Sequence, residues 1–231
     1  MKKLILSVAL LSMPFVASFA QTSFGFSGGY AQPLGEYAAT EPNGGYAKPG
    51  YTWGIRVDNY FPSNIGVGLM IKNHHNQIDS DALQEDIKSE FGYSRSTLIQ
   101  SASHKSFGFM ILGSYKFLDT ERFGMDVSLG AGGALNDMSD PLVIEATRTA
   151  TIHNYLVDYN GKFSWAWQGG VRFCYYISPT VGFTAGVSYY GTNPTYVMAK
   201  QDVRTAEKSD IRTYTTINQM MDYSFGIVFG H

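Results

Sequence analysis

The stretch Ser106-Phe-Gly-Phe-Met-Ile-Leu-Gly-Ser-Tyr-Lys-Phe117, followed by Leu118-Asp-Thr-Glu-Arg122 and Phe123-Gly-Met-Asp-Val-Ser-Leu-Gly-Ala-Gly-Gly-Ala-Leu135, decides the fold. Every second residue falls into one of two sets. Phe107, Phe109, Ile111, Tyr115 and Phe117 continue past the charged break as Phe123, Met125, Val127, Leu129, Ala131 and Leu135. Between them stand Ser106, Gly108, Ser114, Lys116, Gly124, Asp126, Ser128, Gly130 and Gly132. A period of two is the period of a β-strand, whose successive side chains point to opposite faces. One face is broad, apolar and aromatic at its ends, and the other is tiny or charged. That division fits a transmembrane β-barrel with lipid outside and a narrow, filled lumen inside.

The rest of the chain repeats the pattern. Thr22–Tyr30 alternates as a first strand. Gly50–Phe61 places Tyr51, Trp53, Ile55, Val57 and Phe61 opposite Thr52, Arg56, Asp58 and Tyr60. Ile65, Val67, Leu69 and Ile71 stand opposite Gly66, Gly68, Met70 and Lys72. Phe163–Ile177 sets Trp165, Trp167, Val171, Phe173, Tyr175 and Ile177 against Ser164, Gln168, Arg172 and Cys174. Val181, Phe183, Ala185, Val187 and Tyr189 mark a seventh strand. Met221, Tyr223, Phe225, Ile227 and Phe229, against Asp222, Ser224 and Gly226, mark an eighth. The connections alternate long and short, the short ones being Pro62–Asn64, Asp119–Arg122 and Ser178–Pro179. Short turns on one rim and long loops on the other are expected of an outer-membrane barrel, and an even strand count puts both ends of the barrel on the short-turn side. A ten-stranded variant remains open if Ala146–Trp167 crosses the membrane as a hairpin. A soluble lipocalin-like barrel is the competing all-β reading.

Within the long connections, Leu83, Ile87 and Phe91 recur every four residues across Ser80–Phe91, with Gly92 beyond, which predicts a short amphipathic helix. Ser94–Lys105 reads as an outward extension of the fourth strand. Asn160-Gly161 is a hairpin-turn signal that predicts a β-flap in the loop from Asn136 to Lys162.

The chain has 231 residues and a formal net charge of −2. Met1-Lys2-Lys3, the apolar run Leu4–Phe15 and Ser18-Phe19-Ala20 read as a secretory signal peptide over residues 1–20. Its removal leaves 231 − 20 = 211 residues and 15 basic against 19 acidic side chains, which is no footprint for nucleic acid. No later run is long and apolar enough for a transmembrane helix, but a closed barrel satisfies every backbone group in lipid without one. A single cysteine, Cys174, excludes an internal disulfide.

This pattern, with a terminal strand carrying Tyr223, Phe225, Ile227 and Phe229 at alternate places, resembles the small eight-stranded outer-membrane β-barrel family of the outer-membrane protein A transmembrane domain and the OprF-like porins. The resemblance covers Gln21–Phe229. It implies an antiparallel up-and-down barrel in the outer membrane of a Gram-negative envelope, surrounded by lipid and lipopolysaccharide. It also implies insertion by the barrel-assembly machinery, which in that family reads an aromatic-ended last strand; here Gly230 and His231 follow. The peptidoglycan-binding domain of some relatives has no counterpart after the barrel.

The inward set holds Arg56, Asp58, Lys72, Lys116, Asp126, Arg172 and Asp222. A Lys or Arg at mid-depth on the lipid face would cost roughly 2–4 kcal/mol, so energetics and parity agree on the lumen. Lys116 and Asp126 flank one turn and should be cross-strand neighbours. An eight-stranded barrel is about wide enough for side chains to fill, so paired charges should plug it rather than line a pore. His74 and His75 read as surface residues, since neighbours on a strand point opposite ways. His104, His153, Ser103 and Glu145 fall in outer segments without the spacing of a catalytic triad, and Gly130-Ala131-Gly132-Gly133 lacks the Gly-Lys-Ser/Thr of a phosphate loop. No motif calls for a cofactor or metal. Aromatic belts should comprise Phe61, Phe117, Phe123, Tyr175 and Phe229 on the short-turn rim, and Tyr51, Trp53, Phe107, Trp165 and Tyr189 on the other. The expected role is structural, with surface loops available for binding. A small-solute pore and an adhesin-like binding module are the alternatives.

Overall fold

The structure, a computed structural model, describes residues 21–41, 44–91, 95–100, 103–138, 142–148, 151–158, 162–202, 208–215 and 217–230. The expected signal peptide, Gly92 and the Asn160-Gly161 pair lie outside the described residues. Eight strands close into a barrel: β1 (Gln21–Leu34), β2 (Ala47–Tyr60), β3 (Ile65–Ile78), β5 (Ser103–Asp119), β6 (Phe123–Met138), β9 (Lys162–Ser178), β10 (Val181–Thr192) and β13 (Asn218–Phe229). Each pairs antiparallel with the barrel strands before and after it, and β1 pairs with β13 to close the ring.

Burial alternates strictly along β5 from His104 to Lys116. Ile111 is 59% exposed and Leu129, its diagonal neighbour across the β5–β6 pair, 74%, whereas Met110 is 0% and Asp126 3%. A continuous exposed apolar band of this kind has no place in water. From Phe107 to Phe117 there are ten residue steps, about 34 Å along the strand. Tilted by about 40°, that gives about 26 Å across the membrane, matching the apolar band of outer-membrane barrels. The aromatic rims are on this outer face as expected: Tyr51, Phe107 and Trp165 on one side, and Phe117, Phe123, Tyr175 and Phe229 on the other, are exposed.

The three tight turns are where the sequence places them. Asn64 adopts a left-handed φ of 62°, which Asn tolerates, and Phe61 N donates to Ile65 O at 2.9 Å. Thr120 closes the second turn by donating from both its amide and its hydroxyl to Phe123 O. Ser178 Oγ accepts from Val181 N at 3.1 Å in the third. A bulge between Lys116 and Leu118 breaks the parity at the foot of β5 and leaves both Phe117 and Leu118 exposed.

The long connections are more ordered than loops. The first holds the single-turn helix α1 (Gly35–Ala38), and the second holds α2 (Ser80–Phe91), the predicted amphipathic helix, which buries Leu83 and Ile87. Five further strands, β4 (Arg95–Gln100), β7 (Leu142–Arg148), β8 (Thr151–Asp158), β11 (Thr195–Asp202) and β12 (Lys208–Thr215), form a separate antiparallel sheet in the order β12-β11-β8-β7-β4. One expectation changes here. Arg95–Gln100 does not extend the fourth barrel strand; it pairs with β7 in the second sheet. The expected flap exists as the antiparallel pair β7–β8, in register from Leu142 with Val157 to Arg148 with Thr151. Because Leu142–Asp158 belongs to that second sheet, the barrel has eight strands and not ten.

Candidate functional site in the barrel lumen

All seven expected lumen charges point inward. Asp58, Lys72, Lys116, Asp126 and Asp222 are buried, and Arg56 and Arg172 show only 11% and 14% of their side chains. Four of them form a closed ring across the lumen. Arg56 Nε donates to both Asp58 oxygens, at 2.9 and 2.7 Å, and its Nη2 lies 3.2 Å from Asp126 Oδ1. Arg172, on β9, reaches the facing strand β2, where Nη2 lies 3.0 Å from Asp58 Oδ2, and its Nε is 2.9 Å from Asp126 Oδ2. Ser128 and Ser114 accept further protons from Arg56 at 3.2 and 2.9 Å, and the Tyr60 hydroxyl accepts one from Arg172 Nη2 at 3.3 Å. Each guanidinium thus bridges two carboxylates, the charge-assisted geometry that Arg supplies and Lys does not.

Lys116 and Asp126 are cross-strand neighbours in the register, as expected, but they do not pair. Asp126 serves the two arginines, and Lys116 Nζ turns toward the short-turn rim to Asp119 Oδ2 at 3.2 Å.

Nearer the long-loop rim a second cluster surrounds Asp222. Lys72 Nζ is 2.6 Å from Asp222 Oδ2 and donates to Gln168 Oε1 at 3.0 Å and Ser188 Oγ at 2.9 Å, the latter on the strand facing β3. His74 Nε2 is 3.0 Å from the same Asp222 oxygen. This corrects the reading of His74 as a surface residue: it is 1% exposed, while His75 turns outward and stacks on Tyr51 with centroids 4.8 Å apart. Its parity with Lys72 was the signal that would have placed it inside.

Beside and above these charges the lumen is filled by apolar side chains. Met70, Met110, Leu112, Ala134, Ala166, Tyr190 and Met220 form one buried cluster with Ala31, Ala47 and Tyr37. The inward face is therefore not only tiny or charged, because where the ion pairs end, bulky side chains fill the bore. The Tyr190 ring packs on His74 at 4.3 Å, and its hydroxyl is 3.2 Å from Ser106 Oγ. Gly130 makes room for Leu112, against which a Cβ at that position would press. A layer of Asn136, Ser164 and Thr192 lies toward the outer rim, where Asn136 Nδ2 donates to Ser164 Oγ at 2.7 Å.

The first long connection caps the mouth. Tyr37 of α1 is 2% exposed and packs against His104, whose Nε2 is 2.9 Å from Gly45 O. Outside it, α2 is latched down: Tyr46 donates to Asp86, Asp79 N donates to Tyr46 O at 2.7 Å, and Lys48 Nζ lies 3.1 Å from Asp79 Oδ1. Desolvation pushes the Asp79 carboxyl up, but the Lys48 and Ala82 hydrogen bonds outweigh it and hold the group below the ordinary carboxylate range. The outer-segment candidates are divided between the two sheets. Ser103 and His104 are at the head of β5, whereas Glu145 and His153 are in strands of the second sheet, and among the described residues no cluster of three potential metal ligands occurs. Cys174 is buried against Tyr176 and Val228.

No family model matches the chain, and no curated protein matches it. Solved structures do. The outer membrane protein OprG from Pseudomonas aeruginosa aligns at 13% identity over 92% of this chain and 97% of its own, with a TM-score of 0.52. A major outer membrane protein from Thermus thermophilus aligns at 12% identity over 92% and 99%, with a TM-score of 0.51. At such identities the likeness is one of architecture. With its closed antiparallel ring, outward apolar band and short-turn rim, the chain has the fold of the eight-stranded outer-membrane β-barrels.

Proposed function

We propose that this chain is an integral outer-membrane protein whose barrel is a non-conducting anchor, and that it holds an extracellular five-stranded sheet where partners at the cell surface reach it. In this reading residues 1–20 are a cleaved export signal, the barrel-assembly machinery inserts the chain from the periplasm, and lipopolysaccharide surrounds the long-loop rim. The observation that carries it is the Arg56–Asp58–Arg172–Asp126 ring, which spans the bore and pairs each guanidinium with two carboxylates. The apolar septum of Met70, Met110, Leu112 and Tyr190 and the Tyr37 cap support the same conclusion. A pore would require ring, septum and cap to open together.

Conductance of the refolded protein in a planar lipid bilayer tests this. Silence is expected from protein shown to be folded by its gel mobility and β-sheet circular dichroism. Steady steps proportional to salt concentration would replace the anchor reading with a small pore, and Arg56, Lys72 and Arg172 would be its selectivity residues.

A further inference from the structure

Between the arginine–aspartate ring and the Asp222 cluster lies a chamber of about 60 Å³, several times the room one water molecule needs. The charged side chains lining it are Arg56, Lys72 and Arg172, all cationic, while Asp58, Asp126 and Asp222 are held in ion pairs and are not part of its lining. Lys72 Nζ has its three acceptors. Arg172 does not, because Nε and Nη2 are engaged and Nη1 makes no hydrogen bond to any described residue. That nitrogen projects toward Gly25, where a Cβ would stand 3.9 Å from it. Ser27 and Thr184 also line the chamber, and neither hydroxyl has a partner among the described residues. Gly25, Gly170 and Gly186 keep the wall free of side chains.

We propose that this chamber is an occluded binding site for one monovalent inorganic anion of halide size. Arg172 Nη1 and the hydroxyls of Ser27 and Thr184 are its donors, and the charges of Arg56 and Lys72 hold it. Three cations line one polar cavity and their carboxylate partners do not, so the potential inside is positive. Away from bulk water such a field acts at low effective dielectric and is screened little by salt. Water would satisfy the hydroxyls and the Nη1 protons, but only an anion gains from the three cations that line the cavity. The ring on one side and the septum on the other make the ion a resident taken up as the barrel closes, not a passing solute.

Two measurements decide this. Crystals of protein refolded in sodium bromide should show anomalous density within hydrogen-bonding distance of Arg172 Nη1; density there without an anomalous signal would mean water and would overturn the proposal. In lipid vesicles, urea unfolding should have a higher midpoint in sodium chloride than in sodium gluconate at equal ionic strength. Gly25→Val, which puts two methyl groups into the chamber beside Arg172 Nη1 without removing a charged residue, should abolish that difference. Gly25→Ala adds only a methyl at ordinary contact distance, 3.7 Å from Ile227 O, and serves as the variant certain to be accommodated by the strand; the difference should shrink in it. Equal midpoints in the two salts, or a chloride effect undiminished in both variants, would refute the site.

Discussion

Asp126→Ala tests the idea that the lumen is held shut by its ion pairs. The Asp126 carboxylate is 4% exposed and faces Arg56 Nη2 at 3.2 Å and Arg172 Nε at 2.9 Å. Removing it leaves two guanidinium groups sharing Asp58, so the ring goes from neutral to a net charge of +1. Breaking one partner out of a buried pair costs about 3–5 kcal/mol. Here the lower end applies, for two reasons. Arg56 keeps Asp58, Ser114 and Ser128, and Arg172 keeps Asp58 and Tyr60. The adjoining chamber also admits water to the stranded charge. A loss of about 3 kcal/mol, with a slope of about 2 kcal/mol per molar urea, lowers the midpoint by about 1.5 M. The assay is urea unfolding in vesicles, followed by tryptophan fluorescence and gel mobility. Asp137→Ala, at an exposed carboxylate near the outer rim, is the control and should stay within about 0.5 kcal/mol. In a cycle with Arg172→Ala the two losses should fall short of additivity by at least about 1 kcal/mol. If Asp126→Ala matches the control, the ring is not what stabilises the closed lumen.

Other consequences are as specific. Leu129→Arg separates a membrane wall from a soluble surface: at 74% exposure it should be nearly neutral in water, but at mid-depth in lipid it should cost about 2–4 kcal/mol in vesicle unfolding. Tyr190→Ala removes a fully buried ring from the septum and should cost about 3–5 kcal/mol by the same assay, yet the bilayer should stay silent because the ring below is intact. Asp79→Ala frees α2 and should speed hydrogen exchange at its amides by no more than about fivefold, as befits a partly exposed pair. The folded Asp79 carboxyl sits below its unfolded value, so its contribution is present above about pH 3.9 and is lost as pH falls through the folded pKa. The wild-type helix should therefore lose protection in that acid range, and the variant should not.

What the sequence made legible is what depends on parity. Strand faces, turns and the inward direction of seven charges follow from a period of two, because a lipid wall punishes any exception. His74, Met110 and Leu112 obeyed the same parity as Lys72 and Lys116, yet their side chains do not announce a lumen as charges do. A bore only a few side chains wide has to be filled by something wherever charges are absent, and that requirement was the missing signal. The pairing of Lys116 with Asp126 failed for a different reason. Adjacent register fixes Cα positions, but long side chains choose partners across the lumen by depth, and Arg172 and Arg56 reach Asp126 from β9 and β2. The second sheet was illegible because its pairs join strands from different connections, β4 with β7 and β8 with β11. No local turn signal reports such contacts.

A buried ion pair is weak grounds for stability, since well-packed apolar replacements are often as stable. What the ring does supply is a penalty on the wrong barrel. Slipping β2 by one residue would carry Arg56 and Asp58 to the lipid face and bring Ile55 and Val57 inside. The arginine alone would then cost about 2–4 kcal/mol at mid-depth, and Asp126 and Arg172 would each lose a partner across the bore. The same holds for Lys72 on β3 and Asp222 on β13, so five of the eight strands are tied to strands they do not hydrogen-bond. Neighbour-to-neighbour backbone pairing tolerates a concerted slip, because every amide finds another carbonyl. Cross-lumen charges do not, because their partners sit at one height only. The ring therefore contributes most where the hydrogen-bonded ladder is least discriminating, in choosing the register in which the barrel closes.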